Sequence, residues 1–156
     1  MNEFVKVFNN VLSDSFCDNL VKLFDDEVEL SVLRQTSIHN FSELHIEQFN
    51  KFDKVKGSLI NCMVEKVGLY KTQFKDICFP PTLKFEPIKI KRYLPGGYFD
   101  WHVDVTGHTS MSRYLAFFIY LTDNEEGKTR FLNTAVDCKK GSMAVSYTHL
   151  RAHETV

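Results

Sequence analysis

Arg92-Tyr93-Leu94-Pro95-Gly96-Gly97-Tyr98-Phe99-Asp100-Trp101-His102-Val103-Asp104 sets a His and an Asp two residues apart, behind a Pro-Gly-Gly turn. Side chains on an extended strand alternate between faces, so His102 and Asp104 project from one side while Trp101 points to the other. An imidazole nitrogen and a carboxylate oxygen on one face can grip one metal ion, and the mixture suits a borderline divalent metal such as iron. Two ligands do not complete a protein site. A third must return from a distant strand, and His153 and His149 are the candidates. Two His and one carboxylate on one face of an octahedral iron leave three adjacent positions open, enough for a bidentate cosubstrate and dioxygen.

The rest of the chain must hold that pair. Phe4 to Phe8 is a short apolar segment, and Ser13 is an N-cap for a helix over about Asp14 to Asp26, whose Phe16, Leu20, Leu23 and Phe24 form one stripe. Leu30 to Asn50 shows no dominant period and reads as a variable loop or irregular strand. A second amphipathic helix is expected from about Asn50 to Tyr70, with Phe52, Val55, Leu59, Met63, Val67 and Tyr70 as core. Strands follow: Phe85 to Tyr93, Tyr98 to Val105, Arg113 to Leu121, Thr129 to Leu132 and one starting at Gly141 to Val145. Thr106 to Ser112 and Asp123 to Lys128 are expected loops. Helices first and strands afterwards predict an α+β domain with helices buttressing an antiparallel sheet or double-sheet barrel.

The chain has 156 residues, 44% hydrophobic, 25% charged and 13% aromatic with 14 Phe, which predicts one domain with one soluble core. Its formal charge of −1 comes from 19 basic and 20 acidic residues spread along the chain, which argues against nucleic acid as a partner. No apolar run is long enough to span a bilayer and the N-terminus lacks a secretion signal, so the expected location is cytoplasmic, without a membrane partner. Cys17, Cys62, Cys78 and Cys138 are widely spaced and are expected to be reduced, Cys17 as a small buried hydrophobe. From Ser146 to Val156 the strand pattern stops abruptly and the sequence reads like a translated sequencing adapter. The domain organisation expected is therefore one domain over 1–145, its C-terminal strand or strands missing, with a non-native tail over 146–156.

Most of the chain resembles the iron(II) and 2-oxoglutarate-dependent oxygenases of the prolyl 4-hydroxylase-like family. Phe4 to Phe24 resembles the family's leading strand and first helix. Tyr93 through Asp104 resembles its pattern of Tyr, a Gly-containing turn, an aromatic and His-x-Asp. Arg113 to Thr122 resembles the strand that ends in Tyr-Leu-Asn, Gly127-Lys128-Thr129-Arg130-Phe131-Leu132 the Gly-Gly-x-Thr-x-Phe segment, and Lys140 to Val145 the strand leading to the distal histidine. The resemblance implies a double-stranded β-helix, or jelly-roll, core buttressed by N-terminal helices. It also implies iron held by His102, Asp104 and a distal His such as His153, with Tyr93 and Tyr120 lining a 2-oxoglutarate pocket. The implied activity is hydroxylation of an unactivated carbon, with a prolyl residue in a peptide or protein as the leading substrate and small molecules as alternatives. The cofactors would be Fe(2+), 2-oxoglutarate and O2, with ascorbate as reductant. The family's Arg or Lys beyond the distal His has no counterpart here, and neither Arg113 nor Arg151 occupies its position. That departure keeps open an inactive jelly-roll binding module, or a truncated fragment of such an enzyme. A zinc hydrolase would need a nearby general base, and no His-Glu-x-x-His occurs.

Overall fold

In the computed structural model, which describes residues 4–75, 77–148 and 152–155, two helices are followed by most of the strands. In chain order the elements are β1 (Val5–Phe8), α1 (Asp14–Asp25), β2 (Val32–Gln35), β3 (His39–His45), α2 (Asp53–Gln73), β4 (Lys89–Arg92) and β5 (Tyr98–His102). Then come β6 (Leu115–Ile119), β7 (Asn124–Phe131), β8 (Thr134–Cys138), β9 (Met143–Tyr147) and β10 (Ala152–Thr155).

Ser13 starts α1 as expected: its Oγ accepts the Phe16 N–H at 3.2 Å, satisfying a donor that the first helical turn would leave orphaned. Cys17, Leu20 and Phe24 then fall on one buried face. In α2 the stripe Val55, Leu59, Met63, Val67 and Tyr70 is buried, following a short 3-10 turn over Asn50–Phe52. The α1 and upper α2 stripes meet Leu44 and Ile46, while Met63 and Tyr70 pack on Met143 and Val145 of β9. Each such large apolar side chain contributes about 1.5–3 kcal/mol by leaving water.

The strands form two sheets, and every pairing among the described residues is antiparallel. The smaller runs β1-β9-β6. The larger runs β2-β3-β5-β10-β7-β8, with β4 also paired to β3. A third apolar cluster joins Phe131 and Val136 of the large sheet to Ala144 of the small one, so the sheets face each other across it. This is the α+β architecture expected from helices first and strands afterwards.

Four expectations about elements change. Residues within Leu30 to Asn50 form the regular hairpin β2-β3, in register from Val32↔Glu43 to Gln35↔Asn40. Its polar residues concealed it because one strand, β2, is exposed throughout. The expected loop from Asp123 to Lys128 is instead largely the start of β7, and β8 adds a strand that the short apolar content of Thr134–Cys138 did not signal. The strand carrying His102 ends there and does not continue to Val105. Beyond it the backbone is held by loop contacts, with Arg113 Nη1 donating to the Asp104 carbonyl at 3.0 Å and Ser110 Oγ accepting the Thr106 N–H at 2.9 Å.

Cys17 is fully buried, as expected of a small hydrophobe, and all four cysteines are free thiols. Among the described residues no helix is long and apolar enough to cross a membrane.

Candidate active site

The turn that introduces β5 depends on two glycines. Gly96 has φ +80°, a region L side chains avoid, and a Cβ on Gly97 would lie 2.8 Å from the Leu94 carbonyl oxygen. The resulting tight turn, closed by Gly97 N–H donating to Leu94 O at 2.6 Å, delivers the chain into β5.

At the end of β5, His102 Nε2 lies 3.7 Å from Asp104 Oδ1. Although Asp104 sits beyond the strand, the bend still brings its carboxylate to the imidazole, so the two groups meet as the alternation argument required. The other ring nitrogen, Nδ1, lies 2.8 Å from the Asp100 carbonyl oxygen. A carbonyl only accepts, so Nδ1 carries the hydrogen and the lone pair of the neutral ring is on Nε2, the side facing Asp104. Phe99 fixes the ring plane, stacked on the imidazole with centroids 3.7 Å apart and planes 5° apart. A nitrogen lone pair and a carboxylate oxygen at this separation, with the rear nitrogen already engaged, are the donor set a divalent metal takes from His and Asp.

Within residues 4–75 and 77–148, whose side chains are described, no third His, Cys, Asp or Glu joins the pair. His153 lies on β10, next to Ala152, whose Cα partner on β5 is His102. His149 and Arg151 lie outside the described residues. His108 is exposed in the loop after Asp104, and Trp101 is 44% exposed.

His102 and Asp104 open onto a cleft of about 1410 Å³, also lined by Tyr93, Tyr120, Phe41 and Phe99. It exceeds the roughly 300–1,000 Å³ usual for a single small ligand. Tyr93 packs on Phe41 at 5.3 Å between ring centroids. Tyr120 donates its hydroxyl to Thr129 Oγ1 at 2.8 Å, which ties the end of β6 to β7. Both tyrosines therefore reach the same cleft as the His-Asp pair.

The cleft also holds residues with no motif around them in the sequence. His39 and Phe41 on β3 touch Phe99, with centroids 5.7 and 5.5 Å from its ring. Glu43 is 4% exposed; burial pushes its pKa up, but the Arg34 hydrogen bond and the charges of Lys89, Arg34 and His45 outweigh burial and hold the carboxyl below its ordinary range. Arg113 is locked to Glu86 at 2.7 Å, and that hydrogen bond raises the guanidinium pKa further. The alternation of Phe41 and Glu43 was the available sign that β3 contributes to the interior, though the mixed polarity of its neighbours masked it.

Residues 88–156 match the family model of the 2OG-Fe(II) oxygenase superfamily. Over that stretch the chain is similar to this superfamily. The match spans β4 to β10 and includes both His102 and Asp104. Solved structures extend the likeness in fold over nearly the whole length. A Pseudomonas putida prolyl-4-hydroxylase superposes with TM-score 0.67 at 15% identity, covering 98% of this chain and 84% of that one. The viral collagen prolyl hydroxylase from Paramecium Bursaria Chlorella virus-1, in its 2OG complex, gives TM-score 0.63 at 19% identity, covering 98% and 92%. A truncated form of that viral enzyme gives 0.62 at 20% identity, covering 96% and 80%. The chain thus has the double-stranded β-helix fold of these enzymes, as the sequence resemblance implied. No curated protein matches the chain.

Proposed function

We propose that this oxygenase hydroxylates an unactivated carbon of a peptide or protein, with a prolyl residue as the leading target. His102 and Asp104 would hold the iron, with His153 as the third ligand, and ascorbate would serve as reductant. The observation that carries the reading is the 3.7 Å approach of His102 Nε2 to Asp104 Oδ1 with Nδ1 already donated to Asp100 O. When bound, iron(II) with 2-oxoglutarate and dioxygen supplies an oxidant able to hydroxylate an unactivated C–H bond while 2-oxoglutarate is converted to succinate and carbon dioxide.

The chain's own residues supply orientation and exclusion of water. Asp100 O fixes the His102 tautomer, so Nε2 presents its lone pair without reorganising. Phe99 prevents rotation of the imidazole, and Phe41, Phe99 and Tyr93 give the cleft an apolar wall that keeps bulk water from reactive species. Tyr93 and Tyr120 are assigned to the cosubstrate pocket, since a phenol can bury its ring while donating a hydroxyl to a carboxylate. A cleft larger than one cosubstrate requires leaves space for a substrate segment. Likeness in fold to two prolyl hydroxylases supports the choice of target.

A second reading is a jelly-roll binding module without turnover. One experiment separates them: succinate release and iron-dependent 2-oxoglutarate binding, compared across the full chain, His102→Ala and Asp104→Ala. The oxygenase reading expects binding and succinate in the full chain and loss of both in each variant. Equal binding in all three, without succinate, supports the module.

A further inference from the structure

One face of β2, β3 and β4 forms a charged wall of the cleft. Directly paired residues of antiparallel strands share a face, so Arg34 lies beside Phe41, Lys91 beside Glu43 and Lys89 beside His45. Arg34, Phe41, Glu43, Lys89 and Lys91 all line the cleft that holds His102 and Asp104. Nearest that pair the wall is aromatic, since Phe41 touches Phe99 and Phe99 is stacked on His102. Further along β3 it becomes basic.

Three cations there meet one carboxylate. Glu43 Oε1 accepts from Arg34 Nε at 2.9 Å and Nη2 at 2.8 Å, and Lys89 Nζ lies 4.0 Å from Oε2. Lys91 leans back toward the metal pair, its Nζ 4.6 and 4.7 Å from the ring centroids of Phe41 and Phe99. The Glu43 side chain is 5% exposed against 47% for Arg34 and 40% for Lys89, so the carboxylate lies underneath and the cations face outward. A guanidinium carries five N–H donors and an ammonium three, more than a single carboxylate occupies. Arg34, Lys89 and Lys91 against Glu43 leave this wall positive in a chain whose formal charge is −1, and such a local excess draws a ligand of opposite sign.

The Glu43 cluster lies beyond the reach of a small cosubstrate held at His102 and Asp104. His39 is the Cα partner of Phe99, while Glu43 stands four residues further along β3 and His45, the partner of Lys89, six. At ~3.3 Å per residue those offsets are roughly 13 and 20 Å, whereas the five carbons of 2-oxoglutarate span about 5 Å. An extended peptide covers the distance.

We propose that Arg34 and Lys89 form a docking site for an acidic segment of the substrate chain, which receives a Glu or Asp about four to six residues from the residue presented to His102 and Asp104. The inference rests on the oxygenase reading above and narrows its substrate class to peptides or proteins with acidic residues flanking the target.

The test is fluorescence anisotropy on the full chain, with Mn(II) and 2-oxoglutarate under anaerobic conditions. The probes are labelled peptides with one Pro and with Glu about four to six positions before or after it, each against its Gln counterpart. Wild type is expected to bind one Glu peptide roughly tenfold more tightly than its counterpart, a modest gain because the cations are partly exposed and screened. The preference should shrink at ~1 M salt, where the Debye length falls to about 3 Å. Lys89→Glu should abolish it and Lys89→Arg should keep it. The triple variant Arg34→Gln, Glu43→Gln, Lys89→Gln neutralises the cluster without stranding a buried charge and should lose the preference as well. All three variants should bind 2-oxoglutarate as wild type does in calorimetry, and circular dichroism confirms that they are folded.

No preference for Glu in wild type, or one that survives both Lys89→Glu and the triple variant, overturns the site. A loss of 2-oxoglutarate affinity alongside the lost preference also overturns it, because the cations then serve the cosubstrate. Tighter binding of a short oligothymidine than of either Glu peptide makes the wall a phosphate-binding surface and overturns the peptide assignment. If wild type keeps the Glu preference but binds no 2-oxoglutarate, the oxygenase reading fails while the acidic-segment site stands.

Discussion

Phe99 and His102 lie face to face three residues apart on one strand, with ring centroids 3.7 Å apart and planes within 5°. Regular alternation would put residues at odd spacing on opposite faces, so this contact needs a local departure from the flat strand. The pairing supports one: β10 shifts register against β5 between Ala152 and Glu154, whose β5 partners are His102 and Phe99. The irregularity lets the imidazole lie on a ring while its Nδ1 donates to Asp100 O at 2.8 Å.

Phe99 therefore acts through His102 on the proposed metal site. Phe99→Leu keeps an apolar side chain but removes the flat surface that holds the imidazole plane. We expect metal affinity to fall about tenfold, the lower end of what outer-shell partners contribute, with the melting temperature changed far less than the affinity. Titration with Co(II), followed by its visible absorption, reads the affinity directly. An unchanged Co(II) constant would show that Asp100 O alone orients the ring.

Glu43 links pH to stability. Burial raises its pKa, yet the Arg34 hydrogen bond together with the Lys89, Arg34 and His45 charges holds the folded value below the ordinary 4.5. A depressed carboxylate contributes stability that is fully present above the unfolded value and is lost as pH falls through the folded one. Wild type should thus become easier to unfold below pH 4.5, and Glu43→Gln should flatten that limb. At neutral pH the same substitution should cost about 1 kcal/mol, a discounted charged hydrogen bond, because Arg34 is half-exposed and screened. Urea midpoints measured from pH 3 to 7 test both statements, and an acid limb as steep in the Gln variant would assign it to other carboxylates.

What could be read in the sequence follows from how local the responsible forces are. The helices were legible because caps and stripes lie within a few residues: Ser13 precedes α1, and Leu20 and Phe24 recur at helical spacing. The His102-Asp104 pair was legible because two residues of backbone fix its geometry. Glu43 was not, since it takes its meaning from β3-β4 pairing across about fifty residues of sequence that includes α2. Likewise β2 is exposed along its length, so its register comes from hydrogen bonds to β3 and leaves no hydrophobic pattern behind.

The C-terminal segment offers the sharpest separation of structural from chemical roles. β10 fills the gap between β5 and β7, with Ala152 opposite both His102 and Phe131. Deleting residues 149–156 should expose two strand edges, lower the melting temperature and promote concentration-dependent association. His153→Ala leaves the backbone pairing intact, so it should spare the melting temperature while weakening iron binding as much as His102→Ala does, if His153 is the third ligand. A tail foreign to the domain predicts another pattern, in which His153→Ala binds iron as tightly as the full chain. Thermal melts by circular dichroism, beside anaerobic Fe(II) titration of both variants, distinguish the two. Unaltered iron affinity in His153→Ala would remove that residue from the site and direct the search for a third ligand elsewhere.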